Sequence, residues 1–180
     1  MKIGISGAQS VGKTTLLSAL RSEKVFSDYA VCDEVTRRVR DYGVGINESG
    51  SNTTQRLIMN EHIANLVLNE NMLTDRTALD GLVYSRYLRD KGNINTETMA
   101  YVERVFTRII GMYDIIFYIK PEFPIDNDGV RSVSVEFRDA IARGFDVAIE
   151  SGIVTAPVVL LTGSVRERVN TVITTLDKLS

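Results

Sequence analysis

The chain has 180 residues, 44% hydrophobic and 24% charged, with 21 basic against 23 acidic residues and a formal net charge of −2. That length favours a single domain over 1–180 whose core needs no disulfide, and the one cysteine excludes an intrachain bridge. Near-neutral charge argues against a protein that coats nucleic acid, although a local basic groove stays open.

Residues 2–6 read as a short apolar strand. The glycine loop 7–12 follows, then a helix from Lys13 to about Ser22 with Leu16, Leu17 and Leu20 on one face. A second short strand is expected over 29–32. Residues 43–52 (GVGINESGSN) read as a flexible polar insertion. The pattern of Leu57, Ile58, Ile63, Leu66 and Val67 predicts a long helix over 54–71. A third strand over 72–74 ends at Asp75, and a helix over 78–91 is stopped by Gly92-Asn93.

Another helix is expected over 96–112, with Val102, Val105, Phe106, Ile109 and Ile110 as its stripe. Residues 114–119 (DIIFYI) give the clearest strand, apolar enough to be covered on both faces. A charged loop over 121–134, a helix over 135–150 and a last strand over 158–161 follow. Ser164 opens the final helix, and Glu167 completes a capping box. Val165, Val169, Val172, Ile173 and Leu176 form its stripe.

No apolar run approaches the roughly 18 residues of a membrane helix. The N-terminus, Met1-Lys2-Ile3-Gly4-Ile5, is broken at once by glycine and serine and does not read as a signal peptide. The expected setting is a reducing cytoplasm without a membrane partner. Strands alternating with helices predict an α/β fold: a five-stranded parallel sheet sandwiched by helices, joined by right-handed crossovers. In such sheets the ligand sits beyond the carboxyl ends of the strands, so the residues just after each strand carry the chemistry.

Gly7, Ala8, Gln9, Ser10, Val11, Gly12, Lys13 and Thr14 match G-x-x-x-x-G-K-[ST], the Walker A pattern, between a strand and a helix. Glycines let successive N–H groups turn inward as a phosphate nest, and the helix start adds its positive dipole end. Lys13 supplies charge to the β- and γ-phosphates, and the Thr14 hydroxyl is a Mg²⁺ ligand candidate, with Thr15 next in the helix. The bland alternative is a glycine turn with a chance lysine; the match and its flanks favour a nucleoside triphosphate site.

The chain resembles the small P-loop kinases, the group that includes the bacterial nicotinamide riboside kinase domain and related ATPase-like (AAA-type) domains. The resemblance runs over almost the whole chain. It rests on GAQSVGKTTL, DEVTRR, LTDRTALD, YDIIFYI, DNDGVRS and VVLLTGS-x-x-ERV in that order. It implies a P-loop NTPase fold with a short lid at about 121–138, and ATP and Mg²⁺ as cofactors. A GTPase would carry N-K-x-D, which is absent, and Asp80-Gly81 lies in a helical pattern. A motor or AAA-type ATPase would ordinarily be longer, with Asp-Glu closing an apolar run; here Asp33-Glu34 follows the second strand, a position that usually faces the phosphate acceptor.

Glu34 and Arg37 share a helical face. Glu34 is a candidate base for the acceptor hydroxyl and Arg37 for holding a substrate anion, against an ordinary surface ion pair. Asp75 could hold Mg²⁺ or act as base, or merely cap the next helix. Arg76 could point at substrate. Sequence leaves open which of Glu34 and Asp75 is the base. The resemblance makes Arg131 the lid arginine, with Arg138 and Arg143 farther along, and makes Gly163, in Thr162-Gly163-Ser164, part of the adenine loop.

His62, the only histidine, reads as structural, and Cys32 as buried and inert. Tyr42, Gln55, Asn60, Tyr84, Arg86 and Tyr87 are acceptor-side candidates. The acceptor implied by the resemblance is a nucleoside-like small molecule. Alternatives are a DNA hydroxyl, with arginines 37, 38, 40, 86, 89, 104 and 108 lining a groove, or a nucleotide-dependent switch without transferase activity.

Overall fold

The computed structural model describes residues 1–33, 35–122 and 134–179, the Arg37 side chain excepted. Glu34 and Arg131, and most of the expected lid, lie outside the described residues. Five strands form one sheet: β1 (Lys2–Gly7), β2 (Ala30–Cys32), β3 (Met72–Asp75), β4 (Ile115–Ile119) and β5 (Val158–Leu161). Their order is β2-β3-β1-β4-β5 and every pairing is parallel. The described α-helices are α1 (Lys13–Arg21), α2 (Val35–Asp41), α3 (Asn52–Leu68), α4 (Ala78–Asp90), α5 (Thr96–Ile109), α6 (Val135–Glu150) and α7 (Val165–Asp177). This is the P-loop NTPase architecture expected from the sequence.

The apolar strands behave as their composition demands. Ile3 and Ile5 in β1 and Ile116, Phe117 and Ile119 in β4 have no exposed surface, because helices cover both faces of the central sheet. Helix α1 packs on α7, while α4 packs on α3, α5 and α6. The capping box at Ser164 and Glu167 forms as expected. Gly4 is required where it stands: a Cβ there would lie 2.3 Å from Thr77 Cγ2, so the chain entering α4 presses directly on β1.

Helix α3 departs most from expectation. It begins two residues early, capped by Ser51, and ends at Leu68, since Asn69 is already extended. Its buried residues include Gln55, Met59, His62 and Leu66, while Val67 is exposed. The helix therefore turns a partly polar face inward. The segment expected to be a flexible insertion is anchored instead. It holds a 3-10 turn at Asn47–Ser49, and Thr54 Oγ1 donates to the Gly45 carbonyl at 2.6 Å. The 96–112 helix closes as α5 at Ile109, with a 3-10 turn over Ile110–Met112. Among the described residues no helix is long and apolar enough to cross a membrane.

Candidate active site

Strand β1 runs directly into the glycine loop. Gly7 has φ +151°, and a Cβ there would meet the Ile119 carbonyl oxygen at 2.5 Å, so the loop leaves the sheet only through a glycine. Ser10 and Gly12 follow in the left-handed region, at φ 60° and 88°. Gly12 is the N-cap of α1, with no side-chain cap and no acidic residue in the first turn. Such a helix start presents N–H groups and a positive dipole end to an anion. Lys13 is 6% exposed. Its Nζ arches back over the loop and donates to the Gly7 carbonyl at 2.8 Å and the Ala8 carbonyl at 2.6 Å. The Ser10 hydroxyl is buried and has no hydrogen-bond partner.

The parallel register sets Asp75 beside Ile5, at the carboxyl end of β3. Thr14 Oγ1 donates to Asp75 Oδ2 at 2.8 Å. The other carboxylate oxygen, Oδ1, is buried and unpartnered. Asp75 is not the cap of α4: Thr77 fills that role in a capping box with Asp80. The carboxylate thus has no helix-capping duty.

Arg76 follows at φ 78°, unusual for a residue with a Cβ. That backbone carries its guanidinium over the Tyr84 ring, 5.0 Å from the centroid, and to 3.9 Å from Asp80 Oδ1. Burial opposes its charge, but Tyr84, Asp80 and Asp75 outweigh that and keep Arg76 firmly protonated. Burial also raises the Asp80 carboxyl, against the lowering pull of Lys13 and Arg76. Tyr84 donates onward to Gln9 Oε1 at 3.2 Å, which links this cluster to the phosphate loop.

These groups line a cleft floored by Ser10, Gly12, Lys13, Thr14 and Thr15 and walled by Asp33, Thr36, Arg40 and Asn47, with Asp75 and Arg76 between. A smaller inner pocket shares Thr36, Asn47 and Arg76 with it and adds Gln55, Ile58, His62, Asp80, Gly81 and Tyr84. The inward polar face of α3 is therefore the wall of a pocket. Gln55 Oε1 is held by the Ser85 hydroxyl at 2.8 Å. His62 is 1% exposed, and its Nε2 has no partner. Burial, with Arg76 nearby, pushes its pKa down to about 3, so the imidazole is neutral.

Of the expected site residues, the structure brings Gln9, Ser10, Gly12, Lys13, Thr14, Thr15, Asp75 and Arg76 to one cleft. Ala8 and Val11 are buried beneath the loop. Gly163 stands apart from the cleft lining, its N–H donating to Glu122 Oε2 at 3.1 Å. Among the acceptor-side candidates only Gln55 and Tyr84 line the pocket. Tyr42 is 64% exposed, Asn60 accepts from Tyr101, Arg86 faces Glu103, and Tyr87 packs on Phe137. Of the arginines considered for a DNA groove, three are engaged elsewhere. Arg38 is paired with Glu61 at 2.9 Å and Arg89 donates to Thr96, while Arg40 lines the cleft. Cys32 is buried, which raises its thiol pKa.

Arg168, the arginine of the ERV motif, was given no role from sequence. It is 3% exposed on α7 and donates through Nη1 to the Val11 carbonyl at 2.9 Å. A signal existed. Position 168 falls three after Val165 and four before Val172, so an arginine interrupts an otherwise apolar stripe.

A family model described as an AAA domain matches residues 2–168. The chain belongs to the AAA domain family. Solved structures similar to this AAA domain include a deoxyadenosine kinase and the NadR protein. A deoxyadenosine kinase from M. mycoides, solved with dCMP and dCDP, is 15% identical with a TM-score of 0.72, covering 100% of both chains. The NadR protein in complex with NR is 18% identical with a TM-score of 0.65, over 90% of this chain and 45% of that one. NadR with NAD and AMP-PNP is 17% identical at a TM-score of 0.69, over 98% and 48%. The chain thus spans about half of NadR. At these identities the likeness is one of fold. No curated protein matches the chain significantly.

Proposed function

We propose that this AAA domain is an ATP-dependent kinase that transfers the γ-phosphate to a hydroxyl of a nucleoside-like small molecule. The observation that carries the reading is the cleft itself: from the phosphate loop it runs past Asp75 and Arg76 to a wall of Asp33, Thr36, Arg40 and Asn47. A hydrolase needs room only for water beside the nucleotide. Room in the cleft beyond the phosphate loop, walled by residues of other elements, supports a second substrate. The fold shared with a deoxyadenosine kinase and with NadR fits the same class.

The residues take roles from their geometry. The loop N–H groups and Lys13 hold the β- and γ-phosphates; binding draws Nζ from the Gly7 and Ala8 carbonyls onto phosphate oxygens. The Thr14 hydroxyl and Asp75 fit Mg²⁺, because the Asp75 carboxylate keeps one buried oxygen unpartnered beside them. When bound, that ion neutralises phosphate charge. Arg76, which lines the cleft beside Asp75, faces the transferring group or the acceptor. The acceptor oxygen forms its bond to the γ-phosphorus as the bond from that phosphorus to the β–γ bridging oxygen breaks. A carboxylate takes the hydroxyl proton: Asp75, or Glu34 next to the cleft-lining Asp33. Gln55, Tyr84 and neutral His62 line the acceptor's side. Arg131 stabilises the charge that spreads over the transferring phosphoryl oxygens, and Gly163 belongs to the loop on the adenine side.

The test is direct. The protein is incubated with γ-labelled ATP and Mg²⁺, with and without a panel of nucleosides. Label appearing on a nucleoside supports the reading. Slow hydrolysis unchanged by every nucleoside refutes it in favour of a switch.

A further inference from the structure

The phosphate loop is held from outside as well as by its own glycines. Arg168 lies 157 residues from Val11 in sequence, yet its Nη1 donates to the Val11 carbonyl at 2.9 Å. Its Nη2 reaches Glu122 Oε2 at 3.3 Å, and the same oxygen accepts the Gly163 N–H at 3.1 Å. A Cβ placed on Gly12 would come within 3.3 Å of Nη1, so the guanidinium lies directly against the Val11–Gly12 peptide.

That contact has a directional consequence. No peptide bond in the described chain is cis. In a trans peptide the C=O and N–H point to opposite sides. With the Val11 oxygen drawn toward α7, the Gly12 N–H must point away from α7. Gly12 and Lys13 line the cleft, and among the described residues none of α7 does. Left to itself, a glycine peptide in a tight loop can flip, since Gly12 tolerates either sign of φ.

We propose that Arg168 is a positioning residue for the nucleotide: by gripping the Val11 carbonyl it fixes the Val11–Gly12 peptide in the orientation that turns the Gly12 N–H onto the phosphates. Glu122 holds the guanidinium in place from its far end. The inference rests on the reading that the loop binds a triphosphate. Arg168 touches no substrate; it acts through one peptide plane.

The test measures binding of ATP and of inorganic tripolyphosphate, each with Mg²⁺, by calorimetry on wild type, Arg168→Met and Arg168→Lys, beside thermal melts. Tripolyphosphate reports the nest without a nucleobase. Arg168→Met is expected to weaken both ligands by the same factor, about 10- to 100-fold, the loss of one charge-assisted hydrogen bond that orders the donor. Arg168→Lys, with one point donor in place of the fork, is expected to recover part of that loss. Should Arg168→Met fail to fold, Arg168→Lys and Glu122→Gln carry the same comparison, and each is expected to bind both ligands more weakly than wild type. Variants that melt earlier yet bind both ligands within twofold of wild type overturn the proposal and leave Arg168 a packing residue. Wild type that binds neither ligand overturns the nucleotide reading itself.

Discussion

Replacing Asp75 with asparagine separates chemistry from architecture at this site. The side chain keeps its shape and an oxygen that can still accept from Thr14 Oγ1, now 2.8 Å away. What is lost is the charge assistance of that bond, about 1 kcal/mol. Thr77 caps α4 without help from Asp75, so no helix start is exposed. For a chain of this length the melting temperature should move by only about 2–4 °C. Turnover should respond far more. A carboxylate that holds Mg²⁺ or takes the acceptor proton contributes about 10²-fold or more, roughly 2.7 kcal/mol of barrier. The assay is transfer from γ-labelled ATP, normalised to the folded fraction, beside urea unfolding of the same samples. A variant that loses several kcal/mol of stability while its folded fraction turns over normally would refute the assignment.

Lys13→Ala should abolish transfer, because only backbone dipoles and Mg²⁺ then meet the phosphate charge; activity within threefold of wild type, measured with γ-labelled ATP, rules out the phosphate-loop role. Arg131→Ala should lower kcat by about 10- to 1000-fold while the ATP dissociation constant moves much less, and Arg131→Lys should rescue only partly; steady-state kinetics beside direct ATP binding decide, and a loss of ATP affinity at unchanged kcat would place Arg131 on bound ATP instead. His62, with a folded pKa of about 3, stays neutral while the unfolded chain protonates near its ordinary 6.5. Unfolding therefore takes up a proton below that value, and stability falls with pH from 6.5 toward 3, by about 2 kcal/mol at pH 5 from this one group. Urea titrations across this range should show His62→Gln losing correspondingly less; parallel slopes for the two proteins would contradict a buried neutral imidazole.

The fold was legible because it rests on short-range patterns. Strand β4 has the Tyr118 hydroxyl as its one polar side-chain group, the glycine loop stands between a strand and a helix, and the Ser164–Glu167 box marks α7. The meeting of Lys13, Thr14 and Asp75 was equally legible, since Lys13 and Thr14 belong to one contiguous motif and Asp75 closes a strand that register places beside it. The smaller pocket beside them was not. Periodicity assigns the apolar residues of α3 to the core, but Gln55 and His62 face inward because that side of the helix borders a pocket. A polar side chain on a buried helix face is what apolar periodicity discards. Arg168 escaped for the same reason. Its meaning depends on Val11, and nothing within a helical turn of position 168 announces a partner that far away.

The order of the strands has a consequence for how the molecule is made. Strand β1 is synthesised first, but its neighbours are β3 and β4, some 70 and 112 positions later by register. On the ribosome the glycine loop emerges long before either flank of its sheet exists. A nascent chain that stops short of β4 leaves β1, almost wholly buried in the finished fold, with an open edge. High contact order of this kind slows folding and lengthens the exposure of such edges. The nucleotide site should therefore be among the last parts of the molecule to acquire its final form. Its phosphate loop would stay unset until α7 docks, so chaperone demand should be greatest late in translation.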